Sequence, residues 1–233
     1  MARRRARRTS PLFLPSAFQL FTPSKDIVLK NIGVFAILYL LPFIYLLDRW
    51  LTVQSSTTKN LHYASDFNGF PLYGNIASIS LLAIVGLTLS IIVQIMTNQA
   101  ELDGAQGKHI TMDNLWKTIK RLGWRMLGLY IVMAVVIIVG FLLLIVPGFF
   151  MIRRYLLAPY VMLDKKCGIK EALDQSARLS LINTGSVWGI MGVMFLIGLL
   201  GVIPLLGGLL SFAVGMLYSV APALRYEQLK KLA

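Results

Sequence analysis

From Leu122 to Leu163 the chain is almost continuous hydrocarbon, broken only by Arg125 near its start and by Arg153 and Arg154 near its end. About 20 apolar residues are enough to cross a bilayer as a helix, so this stretch is too long for one crossing and suits two. If the chain turns at Val146-Pro147-Gly148, the two arginines belong to a return helix. If it runs straight on, they mark an exit to the far side. The two threadings put everything after residue 164 on opposite faces of a membrane.

Positive charge chooses between them. Lys and Arg in short loops collect on the inner face of a membrane protein. With the N-terminus inside and a hairpin at Pro147, all of the 23 basic residues except Arg49, Lys59, Arg153 and Arg154 fall in inner segments. The straight threading instead throws Lys165, Lys166, Lys170 and Arg178 outside. The expected fold is therefore an all-α polytopic bundle of six transmembrane helices in three hairpins. The crossings fall near 27–47, 75–97, 122–144, 147–163, 186–202 and 205–224, with both termini cytoplasmic. Residues 1–26 form a basic tail and surface helix, 27–224 the membrane domain and 225–233 a short basic tail.

Composition agrees. The chain is 57% hydrophobic and 14% charged, against about a quarter charged in soluble domains. The apolar runs are continuous rather than alternating, which favours helices over a barrel. The net charge of +13 follows from inward-facing basic loops, so no nucleic-acid partner is expected. One cysteine, Cys167, allows no internal disulfide. His62 and His109 lie in separate loops without companion ligands, and neither a metal site nor a cofactor is expected. Pro11 and Pro15 interrupt the apolar patch after the N-terminal arginines, which argues against a signal peptide and for a surface helix against anionic headgroups. Thr22-Pro23 suggests an N-cap and first helical position for the first crossing, and Ser16-Ala17-Phe18-Gln19 has capping-box spacing.

The chain also repeats. Tyr155-Leu156-Leu157-Ala158-Pro159 recurs as Tyr218-Ser219-Val220-Ala221-Pro222, 63 residues later. Amphipathic stripes precede the second and third hairpins, at Thr111–Arg121 and Ile169–Leu179, and they align at an offset of 58. Such stripes describe helices lying in the interface. A weaker third copy opens the chain.

Residues 147–189 carry a family likeness. Pro147-Gly148-Phe149-Phe150, Arg153, Tyr155, Ala158-Pro159 and Asp164 lead into Gly168-Ile169-Lys170-Glu171-Ala172-Leu173, Ser176, Gly185 and Trp188. This pattern resembles the uncharacterised bacterial YciC-type inner-membrane family. It is also similar to the membrane domain attached to some glycerophosphodiester phosphodiesterases. The resemblance implies a fold and a compartment, the cytoplasmic membrane of a bacterium. It supplies no activity, because the catalytic domain of those phosphodiesterases has no counterpart here.

Several residues stand out as candidate sites. Arg153 and Arg154 are ionisable groups inside a crossing, a functional signal in lipid. They either snorkel to the outer headgroups, with Asp48 as nearest acidic partner, or bind a lipid phosphate or other anion. Small residues at helical spacing, Gly86 and Ser90, Gly185 and Gly189, and Gly207, Ser211 and Gly215, suit close helix packing or a homo-oligomer seam. Thr88, Ser90, Gln94, Thr97 and Asn98 either line a polar cleft or bond across helices. Pro147, Pro159, Pro204 and Pro222 mark turns and kinks. Asp164, Glu171 and Asp174 lie among Lys165, Lys166, Lys170 and Arg178 and suit local charge pairs. No nucleophile and base pair emerges, so no enzyme is expected. The function expected is a membrane scaffold or lipid-organising component that contacts anionic lipids and other membrane proteins. The alternative is a small transporter or lipid-moving protein, with the two arginines guiding an anionic headgroup.

Overall fold

The structure, a computed structural model, describes residues 14–40, 44, 72–203 and 207–233. In the helix that starts at Leu72, side chains are described at position 86 and from 88 onward. Pro204, Asp48, the outer loop and the N-terminal arginines lie outside the described residues.

The described residues form helices and connecting turns, with no strand among them. Ser16 and Gln19 make the reciprocal capping pair, Ser16 N–H to Gln19 Oε1 at 2.9 Å and Gln19 N–H to Ser16 Oγ at 3.4 Å. A turn of 3₁₀-helix, Phe18–Leu20, leads into α1, Phe21–Lys30. Thr22 is therefore not an N-cap: the helix already starts at Phe21, and Pro23 sits in its first turn. Asn31 breaks the run, its side chain donating back to Ile27 O, and residues 32–40 continue as α2.

α3 (Leu72–Ala105) outruns the expected crossing and carries Asn98, Glu101 and Asp103 on one continuous helix. α4 (Met112–Leu143) is likewise continuous. The stripe at 111–121 and the crossing after it are one rod of about 48 Å, longer than the ~30 Å hydrocarbon core. The reversal rests on one extended residue, Leu144 (φ −167°, ψ 152°). It lies two residues before the expected turn and leaves Pro147 in the first turn of α5 (Ile145–Tyr155). A Cβ added at Gly140 would come within 3.1 Å of Gly148 Cα, so the hairpin closes because both positions lack one.

The fourth crossing, expected as one helix over 147–163, is two. α5 stops at Tyr155, and α6 (Ala158–Lys165) restarts with Pro159 in its first turn. α7 (Ile169–Ile182) and α8 (Thr184–Leu200) meet at 101°, with Asn183 capping α8 through Ser186 N–H at 3.0 Å. α9 (Gly207–Tyr218) breaks before Pro222 and restarts as α10 (Ala221–Lys230). By length and apolarity, α4 and the run Gly207–Lys230 can each cross a membrane, and α7 with α8 adds a third if counted as one broken span.

The packed core sits at one end. Ala158 to Leu163 are all buried, among Leu102, Leu122, Met126, Leu129, Ala172, Leu179, Tyr226 and Leu229. At the other end the large apolar side chains face outward, including Ile138, Leu142, Leu143, Ile145 and Val146 on the first hairpin and Phe195, Leu199, Val202 and Ile203 beyond it. An apolar surface that continuous marks a membrane or partner contact rather than a watery one. Trp124, 86% exposed, lies beside Arg125 where such a belt would meet headgroups.

The two Tyr-x-x-Ala-Pro segments adopt the same local form. Each ends a helix at its tyrosine, passes through two turn residues and restarts at its alanine. Their exposed carbonyls are satisfied in the same way. Ser176 Oγ of α7 donates to Arg154 O at 2.8 Å, and Ser24 Oγ of α1 donates to Leu217 O at 2.7 Å. Arg154 and Leu217 are themselves 63 residues apart. An amphipathic helix from elsewhere in the chain thus closes each break with one hydroxyl.

Candidate functional site

A helix turns 100° per residue, so adjacent side chains diverge, and the two arginines part company. Arg153 is 9% exposed and sits 5.5 Å from the Phe150 ring, one turn back, in the direction helical side chains lean. Phe150 meets Trp188 of α8 edge to face at 5.5 Å. Arg153 Nε has no hydrogen-bond partner among the described residues. Arg154 is exposed, 5.8 Å from the Tyr155 ring. Its carbonyl bonds α7, so the pair lies at the level of that helix rather than at the hairpin tip.

The small residues pack mainly within the chain. Ser211 Oγ donates to Ile197 O at 2.8 Å, Gly207 lies against Leu200 O, and a Cβ at Gly215 would touch Ile197 at 3.7 Å. The Gly207, Ser211 and Gly215 face is thus occupied by α8. A Cβ at Gly189 would meet Ala17 at 3.2 Å, and Gly185 has only Asn183 Oδ1 nearby at 3.9 Å. Gly86 is half-buried and Ser90 exposed on α3.

The densest polar chemistry lies where α3, α6 and α10 end together. Glu101 is 4% exposed. Its carboxyl accepts from Tyr160 OH at 2.6 Å and from Tyr39 OH at 3.5 Å. One turn earlier, Asn98 donates to Tyr130 OH at 2.6 Å and accepts from Gln94 at 3.1 Å. No lysine or arginine pairs with Glu101 among the described residues, so neutral donors alone hold it. These residues tie α2, α3, α4 and α6 together.

Asp164 is the second hub. Gln106 Nε2 donates to its Oδ1 at 3.0 Å, and Tyr226 OH and Lys230 Nζ donate to its Oδ2 at 2.7 and 2.6 Å. Gln106 also donates to Glu227 at 2.7 Å, and Glu227 stands 63 residues after Asp164. Burial raises the Asp164 pKa, but the bonds from Lys230, Tyr226 and Gln106 outweigh it and hold the carboxyl below its usual range. The expectation of local pairing fails for Asp164, which pairs with Lys230 of α10 rather than with its sequence neighbours Lys165 and Lys166. Burial also pushes the Cys167 thiol up. Arg225, fully buried, donates to Pro15 O at 2.8 Å and to Gln228 at 3.0 Å, while Tyr218 OH donates to Ala17 O at 3.0 Å. Together they pin the segment before α1.

Sequence reasoning passed over Glu101 and Arg225. A signal for Glu101 was present: Gln94, Thr97, Asn98 and Glu101 continue one helical face past the apolar run. Arg225, in a short basic run after the last apolar stretch, had none. Among the described residues no group of three or more His, Cys, Asp or Glu could hold a metal ion. Comparison with protein families, with curated proteins and with solved structures finds no match for the chain.

Proposed function

We propose that the chain is a non-catalytic multi-pass membrane protein that organises anionic lipid at the basic face of a bacterial cytoplasmic membrane, in kinship with the YciC-type proteins it resembles. In this reading three units, each an amphipathic helix followed by a transmembrane hairpin, give six crossings with both termini on the cytoplasmic side. The observation that carries it is the right-angle turn between α7 and α8. If α8 crosses the bilayer, α7 lies in its plane. The outer face of α7 presents Lys170, Glu171, Asp174 and Arg178 to water, while Ala172, Ser176, Ala177, Leu179 and Ser180 are buried. A helix so placed meets headgroups along its length.

The hydroxyl contacts of Ser176 and Ser24 support the three-unit reading. α7 of the third unit closes the break in the second, and α1 of the first closes the break in the third. α4, which opens the second unit, packs on α3 of the first.

The test is lipid composition. The chain would be extracted in native nanodiscs from membranes containing phosphatidylglycerol, and the co-purified lipid compared with the bulk. The expected result is enrichment of phosphatidylglycerol, reduced in K170Q/R178Q. Co-purified lipid matching the bulk would contradict the proposal. A second reading, an anion-guiding transporter, draws on Arg153, whose buried Nε lacks an acceptor among the described residues. It requires that R153L/R154L abolish anion binding, and unchanged binding would end it.

A further inference from the structure

We propose that the cleft between the polar start of α4 and the end of α6 binds a phosphate-bearing group, and that the chain builds the same kind of cleft a second time between α7 and α10. The inference deepens the lipid-organising reading and rests on it only for the preferred source of the phosphate.

The first cleft is a cavity of about 410 Å³, within the roughly 300–1,000 Å³ typical of small-ligand sites. Lys108, Lys117, Arg121 and Lys166 converge on it from three elements, with Asn114 and Thr118 between them. Lys117 is engaged by Asp113. Arg121 and Lys166 have no ion-pair partner among the described residues, while Lys108 faces the charge of Asp103. The two carboxylates in the wall are already served, Asp103 by Gln99 at 2.8 Å and by the nearby charge of Lys108, and Asp164 by Gln106, Tyr226 and Lys230. The unmatched charge is therefore positive. A divalent cation finds no free ligand set here, whereas an anion meets the unmatched charges of Arg121 and Lys166. Arginine and lysine together suit a phosphate, the first through its planar fork and the second as a point charge. Lys166 holds the left-handed conformation (φ 53°) that closes α6, a position where glycine is the usual occupant. A lysine there brings an ammonium to the rim of the cleft at a cost glycine would not incur.

The second cleft, about 680 Å³, is lined by residues at matching positions. At the 58-residue offset Lys117 falls on Gln175 and Arg121 on Leu179. At the 63-residue offset Leu163 falls on Tyr226. All six line their respective clefts. Lys165 and Arg178 supply its unpaired cations, because Lys230 is held by Asp164 and Glu227. The counterparts of Lys117 and Arg121 here are the neutral Gln175 and Leu179, so it is the weaker of the two.

The experiment uses the full chain in an uncharged detergent, titrated calorimetrically with inorganic phosphate and, separately, with a short-chain phosphatidylglycerol. Saturable binding of either probe is expected, weakened about tenfold or more in R121Q/K166Q. The control K30Q/K231Q, which removes the same charge elsewhere, leaves it unchanged. N114D, which adds a carboxylate to the cleft without touching the core, weakens binding as well. Lipid binding much tighter than phosphate assigns a headgroup, and equal binding assigns a soluble phosphate. If neither probe saturates, or if the control weakens binding as much as R121Q/K166Q, the site is overturned. If phosphatidylglycerol saturates but ignores R121Q/K166Q and N114D, the cleft falls while the lipid-organising reading stands.

Discussion

Glu101 is a buried carboxyl group held only by neutral donors. Glu101→Ala leaves Tyr160 OH buried without its acceptor, a loss of about 1–3 kcal/mol, visible as a lower midpoint of thermal unfolding in detergent. Glu101→Gln keeps an acceptor oxygen and is expected to lose less, so a larger loss for Gln than for Ala would contradict the hydrogen-bond account. Asp164 predicts a pH dependence. Its folded pKa is depressed, so its contribution is fully present above the unfolded value and is lost as pH falls through the folded one. Because Lys230 is partly exposed, the effect is screened and should amount to about 2–4 °C in the unfolding midpoint. Asp164→Asn should flatten that acid limb, and an unchanged limb would show that another group carries it. Neither hub could be read from neighbours in sequence, because their partners lie about 60 residues or more away.

Among elements, the apolar runs and amphipathic stripes were legible because period and length decide them. Breaks were less so. A proline announces that a helix cannot continue unchanged, but nothing in the sequence says that Ser176 and Ser24 supply the missing donors from other helices. The continuity of α4 was hidden because an amphipathic stripe followed by an apolar run looks the same whether straight or bent. α7 and α8 bend at Asn183, whose side chain caps α8, whereas Arg121-Leu122-Gly123 offers no such cap. Ser176→Ala and Ser24→Ala should each cost about 1 kcal/mol. The sites lie on different helix pairs, so the double variant should show close to the sum, measured by thermal unfolding. Arg225→Leu should free the segment before α1, and limited proteolysis should then cut near residues 14–17 faster than in the parent chain.

At the scale of the whole molecule, the arrangement of the helices depends on the reversal at Leu144. It returns α6 and α7 to the side from which α1 enters, which lets Gln106, Asp164, Tyr226 and Lys230 meet. Charge bias favours the same arrangement, since a straight threading strands four basic residues on the far face. The short α5 and the burial of Ala158 to Leu163 on α6 were not foreseen, because a helix buried by protein and one buried by lipid are equally apolar. The most direct measurement is sidedness. In a Cys167→Ser background, single cysteines at exposed Lys30 and Lys165 would be probed in sealed right-side-out and inverted vesicles with a membrane-impermeant maleimide. The account predicts that both cysteines react only in the inverted vesicles. Labelling of the two from opposite sides would contradict it.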